Sequence, residues 1–187
     1  MSTKPNVIWI MSDQHSPRIS CFAGEPDART ENLDALAARS AQFDNAVTAS
    51  PCCTPSRMTI LTAKEPHRAS AWFNHWPIFP EHTTWPAHLA NHGYTTGLVG
   101  KMHIGGKDQM VGFQHRPYGD IRHGVSHQAE PIDLFPGYAH MESAGATEIP
   151  ESLLQDAVVS KEALSFILEQ ESESPETPWF VCASDPR

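Results

Sequence analysis

The residue types and spacing best suited to chemistry occur together at Cys53, Thr54, Pro55, Ser56 and Arg57. Proline is favoured in the first turn of a helix, where its missing N–H is not needed, so Pro55 predicts a helix that Thr54 could cap. Cys53 would then lie at the helix N-terminus, where backbone N–H groups and the macrodipole favour anions. Arg57, one turn on, adds a fixed positive charge. For this pentapeptide alone, a buried structural cysteine before an ordinary helix is the alternative interpretation.

A second polar pair, Asp13 and Gln14, follows a short apolar run at residues 6–11. The run predicts a buried strand, and ligands of open α/β sheets bind at the carboxyl ends of strands. Carboxylate and amide oxygens are ligands for Ca²⁺, Mg²⁺ or Mn²⁺. The pair therefore predicts a metal site, with a polar strand end that binds nothing as the alternative.

A third polar pair, Lys101 and His103, follows the predicted strand at residues 94–99. Two residues separated by one position point to the same face of a strand, so we expect both side chains on one side of the sheet. Taken separately, each has an ordinary explanation, a solvated charge and a loop histidine.

The elements that must position these residues alternate between strand and helix. This pattern predicts an α/β fold with a largely parallel sheet flanked by helices. We expect strands over residues 6–11, 43–48, 94–99 and 179–183, and helices over residues 31–40 with Thr30 as cap, from 53 onward, over 84–92 and over 151–171. The last helix carries an apolar stripe that we expect in the core, formed by Leu153, Leu154, Ala157, Val158, Leu164, Ile167 and Leu168. Residues 65–82 and 104–150 are expected to be loops, the second long enough to suggest a function.

Composition narrows the classes of function. The chain has 187 residues, 40% of them hydrophobic, and a net charge of -9 from 22 acidic and 13 basic residues. This charge argues against a nucleic-acid partner, which would need a basic surface. The sequence shows no secretory signal and no run of about 20 apolar residues, so we expect a cytoplasmic protein without a membrane partner. Its 4 cysteines lack the spacing of a metal-binding motif.

The pentapeptide resembles the C-x-P-S-R core of the type I, formylglycine-dependent sulfatases, and Gly100-Lys101-Met102-His103 is similar to their G-K-x-H motif. The likeness extends over three stretches, which are residues 6–14, ENLDALAARSAQFDNAVTASPCCTPSR and WPAHLANHGYTTGLVGKMHIG. A further stretch, GKMHIGGKDQMVGFQHRPYGD, resembles the choline-sulfatase-like branch. The resemblance implies an alkaline-phosphatase/sulfatase-like fold.

The resemblance also implies a chemistry for these residues. A formylglycine-generating enzyme would oxidise Cys53 to an aldehyde, and a hydroxyl of its hydrate would attack the sulfur of a small-molecule or carbohydrate sulfate ester. Arg57 would steady this nucleophile, Lys101 would bind sulfate oxygens, and His103 would take the proton that allows sulfate to leave. Asp13, Gln14 and the modified Cys53 would bind a divalent metal, Ca²⁺ or alternatively Mn²⁺ or Mg²⁺. The family usually has an acidic residue where this chain has Gln14.

By the same resemblance, residues 1–187 correspond to the N-terminal portion of a single sulfatase α/β catalytic domain. The C-terminal part of that domain and a smaller C-terminal domain are then absent from this sequence. We expect an open sheet edge, which could support a homo-oligomer.

Three alternatives to a sulfatase remain open from the sequence. A phosphonate or phosphodiester hydrolase of the same superfamily would use a similar set of residues. A truncated, non-catalytic binding module would keep the fold without turnover. A redox pair formed by Cys52 and Cys53 is the third, although adjacent cysteines make strained disulfides.

Overall fold

The computed structural model describes residues 4–13, 15–16, 18–74, 76–119, 148 and 150–185, with the side chains of Phe22 and Asp185 left aside. Within these residues the four helices are α1 (Glu31–Ala37), α2 (Cys53–Thr62), α3 (Trp85–Asn91) and α4 (Gln155–Glu173), and the four strands are β1 (Val7–Ser12), β2 (Thr95–Gly100), β3 (His115–Tyr118) and β4 (Trp179–Asp185). Short 3₁₀ turns occur at Cys21–Ala23 and Glu151–Leu153.

The four strands form one parallel sheet in the order β1-β4-β2-β3. The predicted α/β class with a parallel sheet is therefore confirmed. In the register of this sheet, Ser12 lies opposite Asp185 and Gly100 lies opposite Ser184. The carboxyl ends of β1, β4 and β2 thus reach the same edge of the sheet. Asp13 and Lys101 come directly after two of these ends.

Apolar side chains cover both faces of the central strands. One face packs against α2, α3 and the loops after β2, with a core formed by Met58, Leu61, Ala69, Ala71, Leu98, Met102, Ile104, Val111, Phe113, Phe180 and Cys182. The other face packs against α4, with Val99, Val159, Ala163, Phe166, Trp179 and Val181. Helix α2, which begins at Cys53, is fixed to the sheet by the buried side chains of Met58 and Leu61.

The predicted core stripe of the last helix is only partly correct: Leu154, Ala157 and Val158 are half-buried and Ile167 packs against the core, but the other three positions are exposed. Leu153, Leu164 and Leu168 are 66%, 55% and 60% exposed, whereas the buried positions of α4 are Val159, Ala163 and Phe166. Both sets follow helical spacing, so periodicity alone did not choose between them. The sheet makes the choice, because Gly97 has no side chain and the Phe166 ring lies 2.9 Å from where a Cβ would be.

Three other local expectations also differ from the structure. Residues 43–48 are not a strand, and Phe43 and Val47 are 83% and 90% exposed. Helix α1 ends at Ala37, and Thr30 occupies its cap position as predicted, but the Thr30 hydroxyl donates to the Asp34 carboxylate at 3.0 Å and makes no cap bond. The region predicted as a long loop contains β3, an edge strand. The sequence pattern did not indicate this strand, because Pro117 lies within it and proline weakens a strand pattern.

Over the described ranges, the helices are too short or too polar to cross a membrane.

Candidate active site

Helix α2 brings Cys53 to the sheet edge as its first residue. The predicted cap, Thr54, is wrong, because Cys52 occupies the cap position with an extended backbone. Thr54 is fully buried, and its hydroxyl donates to the backbone carbonyl of His103. The helix begins one residue earlier than the capping prediction requires, so Thr54 lies inside the first turn, where its hydroxyl bonds to the loop after β2.

Two cations converge on the Asp13 carboxylate at this edge. Arg57 Nη2 lies 3.2 Å from Asp13 Oδ1, and Lys101 Nζ donates to Asp13 Oδ2. The side chains of Arg57 and Lys101 are 4% and 5% exposed, and that of Asp13 is 12% exposed. Water is therefore largely excluded from a cluster that carries two positive charges and one negative charge.

Arg57 also forms hydrogen bonds that connect the carboxyl ends of β2 and β4. Its Nη1 donates to the carbonyl oxygen of Lys101 at 2.7 Å and to Ser184 Oγ at 3.0 Å. Sequence reasoning missed Ser184, although its place opposite Gly100 follows once the sheet order is known. Gly100 has a φ of 89°, and a Cβ there would lie 2.1 Å from the Ser184 carbonyl oxygen. Glycine is thus required at the turn that delivers Lys101.

Lys101 connects the carboxylate to the cysteine. Its Nζ lies 3.7 Å from Cys53 Sγ while it donates to Asp13. The structure therefore brings together Asp13, Cys53, Arg57 and Lys101, which come from the position just after β1, from α2 and from the loop after β2. Gln14, the other predicted metal ligand, lies outside the described residues.

His103 occupies a different position from the expected one. Strand β2 ends at Gly100, and His103 has a left-handed backbone with φ 55°, so Lys101 and His103 do not share one face of a strand. Non-glycine residues adopt this conformation rarely, and it is enriched in functional loops. His103 contacts the first turn of α2 through its backbone carbonyl, which accepts the Thr54 hydroxyl.

The surrounding charges shift the ionisation of Asp13. Burial raises the pKa of this carboxyl, but the hydrogen bond and charge of Lys101 and the neighbouring Arg57 together hold it below its ordinary value of 3.8. The pKa is thus lower in the folded protein than in the unfolded chain. Asp13 then contributes stability above the unfolded-state pKa, and this contribution is lost as the pH falls through the folded-state pKa.

We expect Asp13→Asn to flatten the acid side of the stability profile. In the wild type, the free energy of unfolding should fall as the pH drops from about 5 to below 3.8, because protonation removes the partner of two buried cations. The asparagine variant lacks this titration, so its profile should be shallower over that window. Urea unfolding at a series of pH values in EDTA measures both slopes. Equal slopes for the two proteins would contradict a lowered pKa of Asp13 in the folded protein.

The described donor set is too small to hold a divalent metal by itself. Ca²⁺ takes six to eight oxygen ligands. Across the described ranges, no group of three or more histidine, cysteine, aspartate or glutamate side chains is arranged to hold a metal ion. Asp13 offers one carboxylate, and both of its oxygens already accept hydrogen bonds from cations. These residues do not fit a complete metal site.

The four cysteines, all within the described residues, form no disulfide. Cys52 Sγ donates to Asn74 Oδ1 at 3.0 Å, an arrangement that a bond to Cys53 would break. Cys182 is buried in the sheet, and burial raises the pKa of its thiol to about 12, so it remains protonated. Asn74 is a second residue that sequence reasoning missed, because it lies in a loop 20 positions from its partner Thr54.

Comparison with known proteins gives this edge of the sheet a family context. The sulfatase family model matches residues 5–184. A choline-sulfatase from Rhizobium meliloti (strain 1021) is 30% identical over 192 residues, which cover 97% of this chain and 38% of the relative. An ulvan-active sulfatase from Formosa agariphila is 36% identical over 121 residues, covering 60% of this chain and 24% of that protein.

Solved structures share the fold. Ps i-CgsB in complex with k-i-k-neocarrahexaose superposes with a TM-score of 0.73 at 26% identity, covering 98% of this chain and 45% of that one. A phosphonate monoester hydrolase of Agrobacterium radiobacter has a TM-score of 0.74 at 18% identity, over 98% of this chain and 41% of that one, a likeness that shows the fold alone. The chain thus spans less than half the length of these proteins. With the family model matched over nearly its whole length, the chain belongs to the sulfatase family.

Proposed function

We propose that this chain carries part of the active site of a sulfuric ester hydrolase whose nucleophile is a formylglycine made from Cys53. The observation that carries the proposal is the position of Cys53 Sγ in the first turn of α2, 3.7 Å from Lys101 Nζ and beside the Asp13–Arg57 pair. The Cys53–Arg57 pentapeptide and the match to the sulfatase family support it.

Lys101 is the cation that would act on the substrate. Its Nζ reaches the side chain at position 53, so a sulfuryl group that reacts there would have its oxygens near a buried ammonium. A fixed cation in a site from which water is excluded stabilises the charge that develops on those oxygens. The Lys101 side chain is already ordered before substrate binds, because its nitrogen is held by Asp13.

Arg57 would act through its neighbours. Its guanidinium is bonded to Asp13, to the Lys101 carbonyl and to Ser184, and the residue is 3% exposed. Because its planar guanidinium donates to all three acceptors at once, Arg57 fixes both the Asp13 carboxylate and the backbone of Lys101. We therefore assign Arg57 to holding Lys101 and Asp13 in place beside position 53.

The modification explains why a cysteine is needed at this position. An aldehyde there supplies, as its hydrate, one hydroxyl to attack sulfur and a second whose deprotonation releases sulfate. An unmodified thiol has no second hydroxyl. We propose that a formylglycine-generating enzyme modifies Cys53 and that His103 takes the proton. Thr54 holds the His103 backbone against the same turn of α2, which supports this role.

Sulfatases generally use a divalent metal, and we propose Ca²⁺ for this protein, with Mn²⁺ and Mg²⁺ as alternatives. Asp13, Gln14 and the modified Cys53 are the proposed ligands from this chain. The remaining oxygen ligands would have to come from outside the described residues, so no chemical step is assigned to the metal here.

The proposed substrate is a sulfate ester of a small molecule or a carbohydrate. Both classes have support, from the choline-sulfatase relative and from the neocarrahexaose complex of a protein with the same fold. The phosphonate monoester hydrolase shares the fold, so aryl phosphonate esters are the matched comparison for aryl sulfate esters. Preferential cleavage of the phosphonate would replace the sulfatase proposal with its rival.

Mass spectrometry of the peptide that contains Cys53 tests the proposal directly. The protein is coexpressed with a formylglycine-generating enzyme, and trypsin then releases residues 40–57, which contain both Cys52 and Cys53. Fragment ions should place the aldehyde or its hydrate at position 53 and an intact thiol at position 52. An intact thiol at position 53, in a host that modifies other sulfatases, would favour a non-catalytic module.

A further inference from the structure

The side chain of Asn74 makes two bonds to the segment that presents Cys53. Its Oδ1 accepts the backbone N–H of Thr54 at 2.9 Å and the thiol of Cys52 at 3.0 Å. An N–H group can only donate, so the Thr54 bond fixes which end of the amide is the oxygen. Asn74 thus contacts the residues on both sides of Cys53.

These bonds meet a need of helix α2. The first N–H groups of a helix have no partner within the helix, and a cap side chain usually accepts one of them. Cys52, the residue at the cap position, makes no cap bond through its side chain in the described structure. Asn74 supplies the missing acceptor from a loop 20 residues along the chain.

The same bonds make the two adjacent thiols different. The Cys52 sulfur is directed to Asn74, while the Cys53 sulfur lies 3.7 Å from Lys101 Nζ. Thr54 is held on two sides, since its N–H meets Asn74 and its hydroxyl meets the His103 carbonyl. The direction of the Cys53 side chain is therefore set by neighbours on either side of the turn.

We propose that Asn74 is a positioning residue that aligns position 53 with Lys101 by capping α2 and binding the Cys52 thiol. For its consequence in turnover, this inference rests on the proposed sulfatase function. Its geometric part, the cap itself, can be measured independently of any activity.

The test compares Asn74→Ala with Asn74→Asp, which keeps an acceptor oxygen, and with Asn45→Ala, an exposed asparagine, as the matched control. Hydrogen exchange is followed at the Thr54 amide of the whole chain. Loss of a cap of typical strength should speed this exchange roughly fivefold in Asn74→Ala and leave it unchanged in the other two proteins. Labelling of the unmodified proteins with iodoacetamide should shift towards Cys52 in Asn74→Ala alone.

Turnover of an aryl sulfate is then measured for each protein, normalised to its formylglycine content. A small misplacement of a reacting group can cost up to about 100-fold, so kcat should fall between roughly 10-fold and 100-fold in Asn74→Ala with KM nearly unchanged. An unchanged kcat in this variant would overturn the positioning role.

The geometric readouts decide the inference on their own. A Thr54 amide that is unprotected in the wild type, or equally protected in Asn74→Ala, would overturn the cap. If the wild-type protein isolated from its own host carries formylglycine but cleaves no sulfate ester, the proposed function fails, and the exchange and labelling results still confirm or reject the position of Asn74.

Discussion

Cys53→Ala is expected to lower turnover of sulfate esters by on the order of 10⁴-fold or more, to the background rate, since loss of a nucleophile removes the whole covalent route. The substitution should leave the fold intact, because Cys53 is only partly buried and its neighbours Thr54, Pro55 and Met58 anchor α2. The measurement is the kcat of protein made with a formylglycine-generating enzyme, with aryl sulfate and aryl phosphonate esters in parallel.

Cys52→Ala is the matched control, because it removes the adjacent thiol. It deletes the bond from sulfur to Asn74 but keeps the stronger bond from the Thr54 N–H to the same oxygen. We expect its kcat to stay within a few-fold of the wild type. Multiple turnover by Cys53→Ala, or equal losses in the two variants, would reject Cys53 as the nucleophile.

The sequence predicted the site wherever chain position alone determines geometry. Asp13, Cys53 and Lys101 each follow a strand or begin a helix, and parallel strands must deliver their carboxyl ends to one edge. The meeting of these residues could therefore be inferred without coordinates. The partners of Arg57 could not, since Ser184 becomes its neighbour only through the sheet order, in which β4 lies between β1 and β2.

The errors have a different origin, because each depended on a tertiary contact, a helix boundary or a local turn that residue types and spacing do not reveal. Thr54 has the right residue type for a cap, but α2 begins one residue earlier, at Cys53, and the Thr54 N–H donates to Asn74. His103 was assigned to a strand that the left-handed turn at Gly100 ends. For α4, two apolar stripes had equal spacing, and contact with Gly97 selected the one that contains Phe166.

Arg57→Met is expected to lower the free energy of unfolding by about 3–5 kcal/mol, the typical result of removing one partner of a buried ion pair. The substitution leaves Asp13 with Lys101 as its only cationic partner among the described residues, and it removes the donor to the Lys101 carbonyl and to Ser184. Methionine fills similar volume, so lost packing contributes little. Urea unfolding at pH 7 in EDTA measures the change.

Arg57→Lys and Arg68→Met separate the causes of this loss. Lysine keeps the charge but lacks the planar fork that reaches Asp13, the Lys101 carbonyl and Ser184 together, so it should recover only part of the stability. Arg68 is exposed, and its replacement should change the free energy of unfolding by less than about 0.5 kcal/mol. If Arg57→Lys matched the wild type, charge alone would suffice, and the fork of Arg57 would not be what holds Lys101 in place. If Arg57→Met lost no more than Arg68→Met, the buried network would not contribute to the stability of the sheet edge.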